Sequence, residues 1–550
     1  MASADKRGDH LSPPAEISVS NRRSPLYDLH VYPSKKPHQA LRQLIEHFTD
    51  PGEVVLDPMC GTGGTAFAAR SLGRQAVVFD LSPLAVWLTR QLVDPASASD
   101  LRLGLAHLEG ELAAQFQELY ATTCDRCGGQ ASARYYVHAT RFQCAQCGHS
   151  QLLEQGQHGC DNCGTKLGQA LPVGDTEPVG LRYECLSGCK PKAGSRGPSD
   201  QAFQADLALW RATEALPVPQ RVPKARFPVG KETARLHRAG ISDLAQLFTG
   251  RALAVLGKLK TGIEALPEAQ RRPLLLAFSG NLLGCTRMCT LSNGNTLRGT
   301  YYVPPVQREN NAWNLFLRKA ESVARALALA KQELVGQPAA LVAQADARDL
   351  SQLADESVDY VLTDPPYADS VQYSELNFLF EAWLGLPADW DRGELVVNRF
   401  QGKHLEDWQK GLTAALTECS RVLKPGRWLS LCYQNSRWDA LWALQEAVRQ
   451  AGFAFMGGAP TRVVVGQRSY NQINTGKPNK HDLVFHFCKT EEALPRPVAT
   501  TPEEIRQLVQ RLKAERPASS LSWLWDQVTG GLLQAGRLPE EDFSQLVLAP

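Results

Sequence analysis

The chain alternates strand-like and helix-like patterns in two blocks about 250 residues apart, and this interrupted rhythm constrains the fold more than any other feature. In the first block Val54-Val55-Leu56 reads as a short buried strand. The glycine-rich turn Asp57-Pro-Met-Cys-Gly-Thr-Gly-Gly-Thr65 follows, then a helical run over residues 66–72. A second strand at 75–79 ends at Asp80, and Ser82-Pro83 supplies an N-cap and first-turn proline for the next helix. The second block opens with strands at 341–345, ending at Asp346, and 358–363, ending at Asp364. Helices at 374–384, about 405–423 and 438–451, with strands at 428–432, near 462–465 and at 482–487, complete it. Such alternation predicts an α/β, doubly wound, mostly parallel sheet built from both blocks, with the interval between them inserted.

The interval carries its own signature. Of the fourteen cysteines, eight fall there as Cys124-x2-Cys127, Cys144-x2-Cys147, Cys160-x2-Cys163 and Cys185-x3-Cys189. Two thiolates two residues apart in a tight turn share one tetrahedral ion, and a second such turn completes the site. Gly128, Gly148 and Gly164 follow three of the pairs and suit the turn of a zinc knuckle. Eight thiolates predict about two zinc ions. Adjacent pairing of the knuckles is simplest, a cross-braced arrangement is open, and His138, His149 or His158 could replace a thiolate.

Composition bears on setting. With 59 Lys+Arg against 57 Asp+Glu, nucleic-acid affinity must come from local basic patches. No apolar run approaches the ~18 residues of a membrane span, and Met1 to His10 lacks the apolar core of a secretory signal, so a cytoplasmic setting is expected. Such a compartment favours metal ligation over disulfides. The division predicted is a flexible arm at 1–25, a first half-domain at 26–100, a cysteine insertion at 118–200, a helical insertion at 201–335, a second half-domain at 336–490 and a helical tail at 491–550. The tail opens with the capping box Thr501-Pro-Glu-Glu504.

Chemistry concentrates at strand ends. Gly61 and Gly63 let the backbone approach a ligand, and the helix amides beyond them face it. Asp80 is placed to accept ribose hydroxyls, as acids do at that strand end in doubly wound folds. Asp346 is an acceptor for an adenine amino group. Asp364-Pro365-Pro366-Tyr367 presents a carboxylate, a carbonyl that no neighbouring proline amide can engage, and an aromatic face. That set suits a planar base bearing an exocyclic amine.

The glycine loop, the strand-end acids and Asp364-Pro-Pro-Tyr367 resemble the amino-methylating DNA methyltransferases that use S-adenosylmethionine. Tyr32-Pro-Ser-Lys-Lys-Pro37 resembles that family's methionine-contacting segment. The run Asp364-Pro-Pro-Tyr-Ala-Asp-Ser-Val-Gln-Tyr-Ser-Glu-Leu376 and Thr300-Tyr-Tyr-Val-Pro-Pro305 resemble adenine-specific methylases with a zinc-ribbon insertion. The resemblance spans about residues 25–490 and implies a class I methyltransferase sheet of seven strands. It departs at Met59, where phenylalanine is commoner, and at Ala368, where glycine is frequent.

By that resemblance the cofactor site uses Asp57, Gly61, Gly63, Asp80 and Asp346, with Lys36 near the methionine carboxylate. Asp364 and the Pro365 carbonyl hydrogen-bond the target amine, Pro366 stiffens the loop, and Tyr367 stacks on the base. The metal ligands are Cys124, Cys127, Cys144, Cys147, Cys160, Cys163, Cys185 and Cys189. The implied partners are double-stranded DNA and, where such methylases serve restriction or phage defence, the proteins of that system. Asp364 favours adenine, since cytosine-N4 enzymes often carry serine there. An RNA guanine-amine methyltransferase and a non-catalytic zinc-ribbon DNA-binding scaffold are the other readings. Arg221, Lys224, Arg226, Lys231, Arg235 and Arg238 suit phosphate contact or a solvated face equally. The loop at 468–477 is expected to face DNA. Cys285 and Cys289 read as core packing, and Cys60, Cys419, Cys432 and Cys488 as structural.

Overall fold

The computed structural model describes residues 12–19, 24–154, 157, 159–166, 176–292, 294, 296–297, 299–435, 437–456, 460–465, 482–490, 498–517 and 520–539. The first block comprises β1 (Glu16–Val19), α1 (His38–Phe48), β2 (Val54–Asp57), α2 (Gly64–Ser71), β3 (Gln75–Asp80), α3 (Pro83–Val93) and α4 (Ala98–Leu119). The interval adds β4 (Ala121–Thr123), β5 (Gln130–Gln143), β6 (Ser150–Leu152), β7 (Thr176–Cys185) and β8 (Ala193–Arg196). Helices α5 (Gln201–Glu214), α6 (Ala234–Arg238), α7 (Gly250–Ala265) and α8 (Glu268–Asn281) follow, then β9 (Val306–Asn310) and α9 (Ala312–Glu333). The second block holds β10 (Ala340–Gln344), β11 (Val358–Thr363), α10 (Tyr373–Leu384), α11 (Leu405–Val422), β12 (Leu423–Tyr433), α12 (Trp438–Gln450), β13 (Phe453–Phe455), β14 (Thr461–Val465) and β15 (Asp482–Lys489).

The main sheet runs β1-β14-β15-β12-β11-β2-β3-β10, with β13 paired off that path to β15. It is parallel from β12 to β10, while β15 runs antiparallel to β12, β13 and β14. Alternation along the strands sends successive side chains to opposite faces. Val55, Tyr360 and Leu362 join Ile45 and Phe48 of α1 on one face; Leu56, Val361 and Leu429 join Leu412 and Leu416 of α11 on the other. Because β2 neighbours both β3 and β11, the chain reverses direction beside β2, which opens a crevice at the carboxyl ends of these strands.

Two expectations need correction. Seven strands become eight on the path and a ninth beside it among the described residues, and the loose arm fails over Glu16–Val19. That segment pairs in parallel with β14 and buries Ile17 and Val19, so apolar burial and ladder bonds offset the entropy of ordering it.

The intervals read as separate insertions share a sheet. Strand β5 is fourteen residues long and pairs antiparallel with β4, β6, β7 and β9, while β7 pairs with β8. The return of β9 from the helical stretch ties the two together. One apolar core runs from Leu88 of α3 through Tyr136 and Leu181 to Leu256, Leu276, Phe316 and Trp383. A buried ion pair locks it: Arg251 of α7 donates to Glu309 of β9 at 3.0 and 3.2 Å, and His138 of β5 meets the same carboxylate at 2.8 Å. The guanidinium also lies 4.2 Å from the Tyr136 ring centroid. Removing one partner of such a pair costs about 3–5 kcal/mol, because the other charge is stranded in the core.

Candidate active site

At the end of β2 the backbone turns through Gly61 (φ 53°) and Gly63 (φ 78°) before α2 begins. A Cβ on Gly63 would lie 2.7 Å from Thr89 Cγ2, so the loop closes only with glycine there. The Gly61 amide donates to Asp80 Oδ2 at 2.8 Å and the Ser82 amide to Oδ1 at 2.9 Å. Each oxygen of Asp80 thus keeps acceptor capacity toward the crevice. Burial pushes this carboxyl up to about 6 against those two amides. Asp57 is turned inward: it accepts from the Thr363 hydroxyl at 2.8 Å and the Met59 amide at 3.2 Å, and burial pushes it up to about 7. It braces β2 against β11.

One cavity is lined by Lys36, Asp57, Gly61, Asp80, Asp346, Asp364 and Pro366, together with Tyr32, His38 and Trp390. Gly63, Pro365 and Tyr367 are not on its wall. Asp346 is drawn away from the expected role. Arg348 grips it with Nε at 2.9 and 3.0 Å, and the Arg348 amide adds a bond to Oδ1 at 2.9 Å. Its acceptor sites are largely taken, and these bonds hold its pKa below the ordinary carboxylate value against burial. Among the residues that escaped the sequence reading are His38 and Trp390 on the cavity wall and, in contact with wall residues, Arg348 and Glu381. Glu381 is buried, accepts from the Trp390 indole at 2.9 Å and the Ser82 hydroxyl at 3.3 Å, and is pushed by burial up to about 8. Only Arg348, two residues past Asp346, left a local signal.

At the end of β11, Asp364 and Tyr367 are bonded to each other through the tyrosine hydroxyl. The Lys36 ammonium lies 2.9 Å from Asp364 Oδ2, donates to Tyr367 Oη at 2.5 Å and sits 5.1 Å from that ring's centroid. The expectation of Lys36 at a methionine carboxylate is therefore not what this structure presents: the side chain turns to Asp364, whose charge repays its burial. Burial alone would lower the Lys36 pKa, but Asp364 and Asp482 raise it overall. Tyr367 is 6 % exposed and packs edge-on against Tyr433 at 5.2 Å, so its face is not open for stacking here. Ala368 takes φ 51°, the conformation the commoner glycine adopts freely, at a cost of roughly 1 kcal/mol. The Val397 amide bonds its carbonyl at 3.1 Å and holds it there.

The basic stretch is anchored to this loop. The buried Glu375 of α10 accepts from the amides of Lys231, Glu232 and Thr233 at 2.9, 2.7 and 3.0 Å. A Cβ on Gly230 would lie 2.1 Å from that carboxyl carbon. Lys231 donates to the Asp369 carbonyl, while Arg226 stays largely exposed. The loop at 468–477 lies outside the described residues.

The eight cysteines form two groups, Cys124, Cys127, Cys185 and Cys189, and Cys144, Cys147, Cys160 and Cys163. The pairing is nested, first knuckle with fourth and second with third, neither adjacent nor cross-braced. The cause is β5, whose antiparallel pairing with β7 brings Cys185 beside its start. Sulfur separations of 3.6–3.9 Å match the roughly 3.8 Å edge of a tetrahedron with ~2.3 Å zinc–sulfur bonds, so the donor set fits a zinc ion in each group. Backbone amides lower the Cys124 thiol to about 6; Thr165 does the same for Cys163. His138 is committed to Glu309, His149 is exposed outside both groups, and His158 lies outside the described residues. Cys285 and Cys289 are buried beside α8, as core packing predicts.

A largely parallel sheet, a glycine loop after its first core strand and carboxylates at the neighbouring strand ends fit a methyltransferase fold. Residues 9–89 match a family model described as DNA methylase (N6_N4_Mtase), which shows the resemblance drawn from the motifs for that part of the chain. A 50-residue stretch is 44 % identical to the putative methylase YubD of Escherichia coli (strain K12), covering 9 % of this chain and 22 % of that protein. No helix among the described residues is long and apolar enough to cross a membrane.

Proposed function

We propose that this chain transfers a methyl group from S-adenosylmethionine to the exocyclic amine of a flipped-out DNA base, N6 of adenine. One observation carries the reading: Asp80 with its glycine loop and Asp364 with its proline loop open into one cavity. The donor set suits the cofactor. Asp80 keeps acceptor capacity for a ribose, the backbone at Gly61 is bare of a side chain, and His38 Nδ1 is buried on the same wall with no partner among the described residues. When bound, the cofactor supplies an electrophilic methyl group on a sulfonium.

The chain's own residues do the rest. A base amine conjugated into its ring is a poor nucleophile. Acceptance of its N–H bonds by Asp364, joined by the Pro365 carbonyl if the loop turns it into the cavity, would pull the nitrogen toward tetrahedral geometry and localise its lone pair. Asp364 would hold the amine in line with the methyl group that the cofactor supplies, and its carboxylate would take up the proton released from the methylated nitrogen. Holding both reactants in line supplies several kcal/mol, and the base reaches the pocket only by leaving the duplex. The cysteine sheet, loaded with about two zinc ions, and the anchored basic stretch would hold the DNA beside the cavity.

Radiolabelled methyl transfer to duplex DNA, followed by base analysis, tests this. Asp364→Ala should lose transfer by 10²-fold or more with calorimetric cofactor affinity kept, and Asp80→Ala should lose that affinity. N4-methylcytosine as the sole product would move the assignment to cytosine, transfer to RNA alone would move it to RNA, and cofactor binding without transfer to either would leave a scaffold.

A further inference from the structure

The Lys36 ammonium stands where a substrate amine would have to be. It reaches Oδ2 of Asp364, a residue of the cavity wall, at 2.9 Å, is 8 % exposed, and offers three tetrahedrally arranged N–H donors. The other Asp364 oxygen is taken by the Tyr367 hydroxyl. An ammonium on a carboxylate copies the geometry of an amine whose lone pair is aimed at an incoming methyl carbon. The surroundings explain why a cation is needed. Asp364 is faced by the carboxylates of Asp57 on β2 and Asp482 on β15, by the Cys432 thiol on β12, and by the hydroxyls of Tyr367 and of Tyr373 on α10. Burial, the largest influence, and Asp482 favour a proton on Asp364 and leave its pKa above the ordinary carboxylate value, although Lys36 and the Tyr367 hydroxyl oppose it. A protonated Asp364 would donate where it must accept, and the target amine would lose its acceptor. Lys35 does not serve, since it is committed to the Tyr27 and His30 carbonyls.

We infer that Lys36 is the positioning residue of the methyl-acceptor subsite: its ammonium occupies the amine position in the base-free enzyme, aims the Asp364 carboxylate and opposes its protonation. The assignment rests on the amino-methyltransferase reading above. The incoming base displaces the ammonium from the carboxylate while its charge stays close enough to oppose protonation of Asp364.

The test uses the full chain, its Lys36→Gln and Lys36→Arg variants, and duplex DNA. Removing an opposite charge at this distance moves a carboxyl by about 1–3 pH units. The acidic limb of the kcat profile should therefore move upward by about one unit or more in Lys36→Gln and return in Lys36→Arg, with cofactor affinity within about twofold of the wild type. An unmoved limb together with a tenfold loss of cofactor affinity would place Lys36 on the cofactor and overturn the inference, leaving the methyltransferase reading intact. A double-mutant cycle on thermal unfolding, Lys36→Gln with Asp364→Asn, reads the pair without activity. Its expected result is a double variant that melts higher than the two single losses summed predict; strict additivity would overturn the pairing even if the wild-type chain transfers no methyl group.

Discussion

Asp80, Asp346 and Asp364 look alike in the sequence, each an acid at a strand end, and the structure gives each a different company. Asp80 is met by two amides, Asp346 by an arginine and Asp364 by a lysine. Position in the sheet was legible because strand periodicity fixes which residue ends a strand. Company was not, because Arg348 and Lys36 arrive through loop conformations that no period encodes. Glu381 was illegible for the same reason: its partners, Ser82 and Trp390, come from two other segments. With its folded value at about 8, above the ordinary carboxyl range, Glu381 favours the fold below roughly pH 4.5, where the carboxyl is protonated in both states. That contribution is lost as pH rises toward 8, at up to about 1.4 kcal/mol per pH unit. Glu381→Gln removes this titration. Thermal unfolding should show the variant gaining on the wild type between pH 5.5 and 8, and parallel curves would contradict the assignment.

At the scale of elements, the knuckles were readable from spacing, since two thiols two residues apart in a glycine-bearing turn have few other uses. Their partnership was not readable, because it is set by the register of β5 against β7, in which Ala131 faces Cys185. The nested pairing makes a specific prediction. Purified protein should hold about two zinc ions by elemental analysis. Cys147→Ser with Cys163→Ser should remove one of them, and so should Cys127→Ser with Cys189→Ser. Combining Cys127→Ser with Cys147→Ser, one change in each group, should weaken both sites. Adjacent pairing would instead confine that last variant's damage to one ion.

For the molecule as a whole, the strand–helix rhythm revealed a divided sheet with an insertion, and most expected strands and helices lie within a few residues of their places. The edge strand β1 escaped because Glu-Ile-Ser-Val at 16–19 is too short to declare itself; only the exposed edge of β14 makes it a strand. Burying Ile17 and Val19 contributes about 1.5–3 kcal/mol each. Deleting residues 1–19 should thus destabilise the protein by roughly 3–6 kcal/mol and leave an unpaired edge on β14. Denaturant unfolding and light scattering would register the loss and the ensuing self-association; an unchanged midpoint would show that β1 adds nothing in solution.

The contact between Gly230 and Glu375 has a consequence for how such a chain can diversify. A carboxylate of the half-domain that carries Asp364 is buried in three amides of the inserted interval, with no room even for a methyl group. The interval also shares its apolar core with α3 and α10. An insertion tied in this way is not an exchangeable cassette. An interval grafted from a relative would have to bring its own glycine and its own three amides, or α10, which follows the Asp364 loop, would lose its seat. Change in this architecture is therefore easier by substitution at exposed side chains such as Arg226 than by recombination of whole segments.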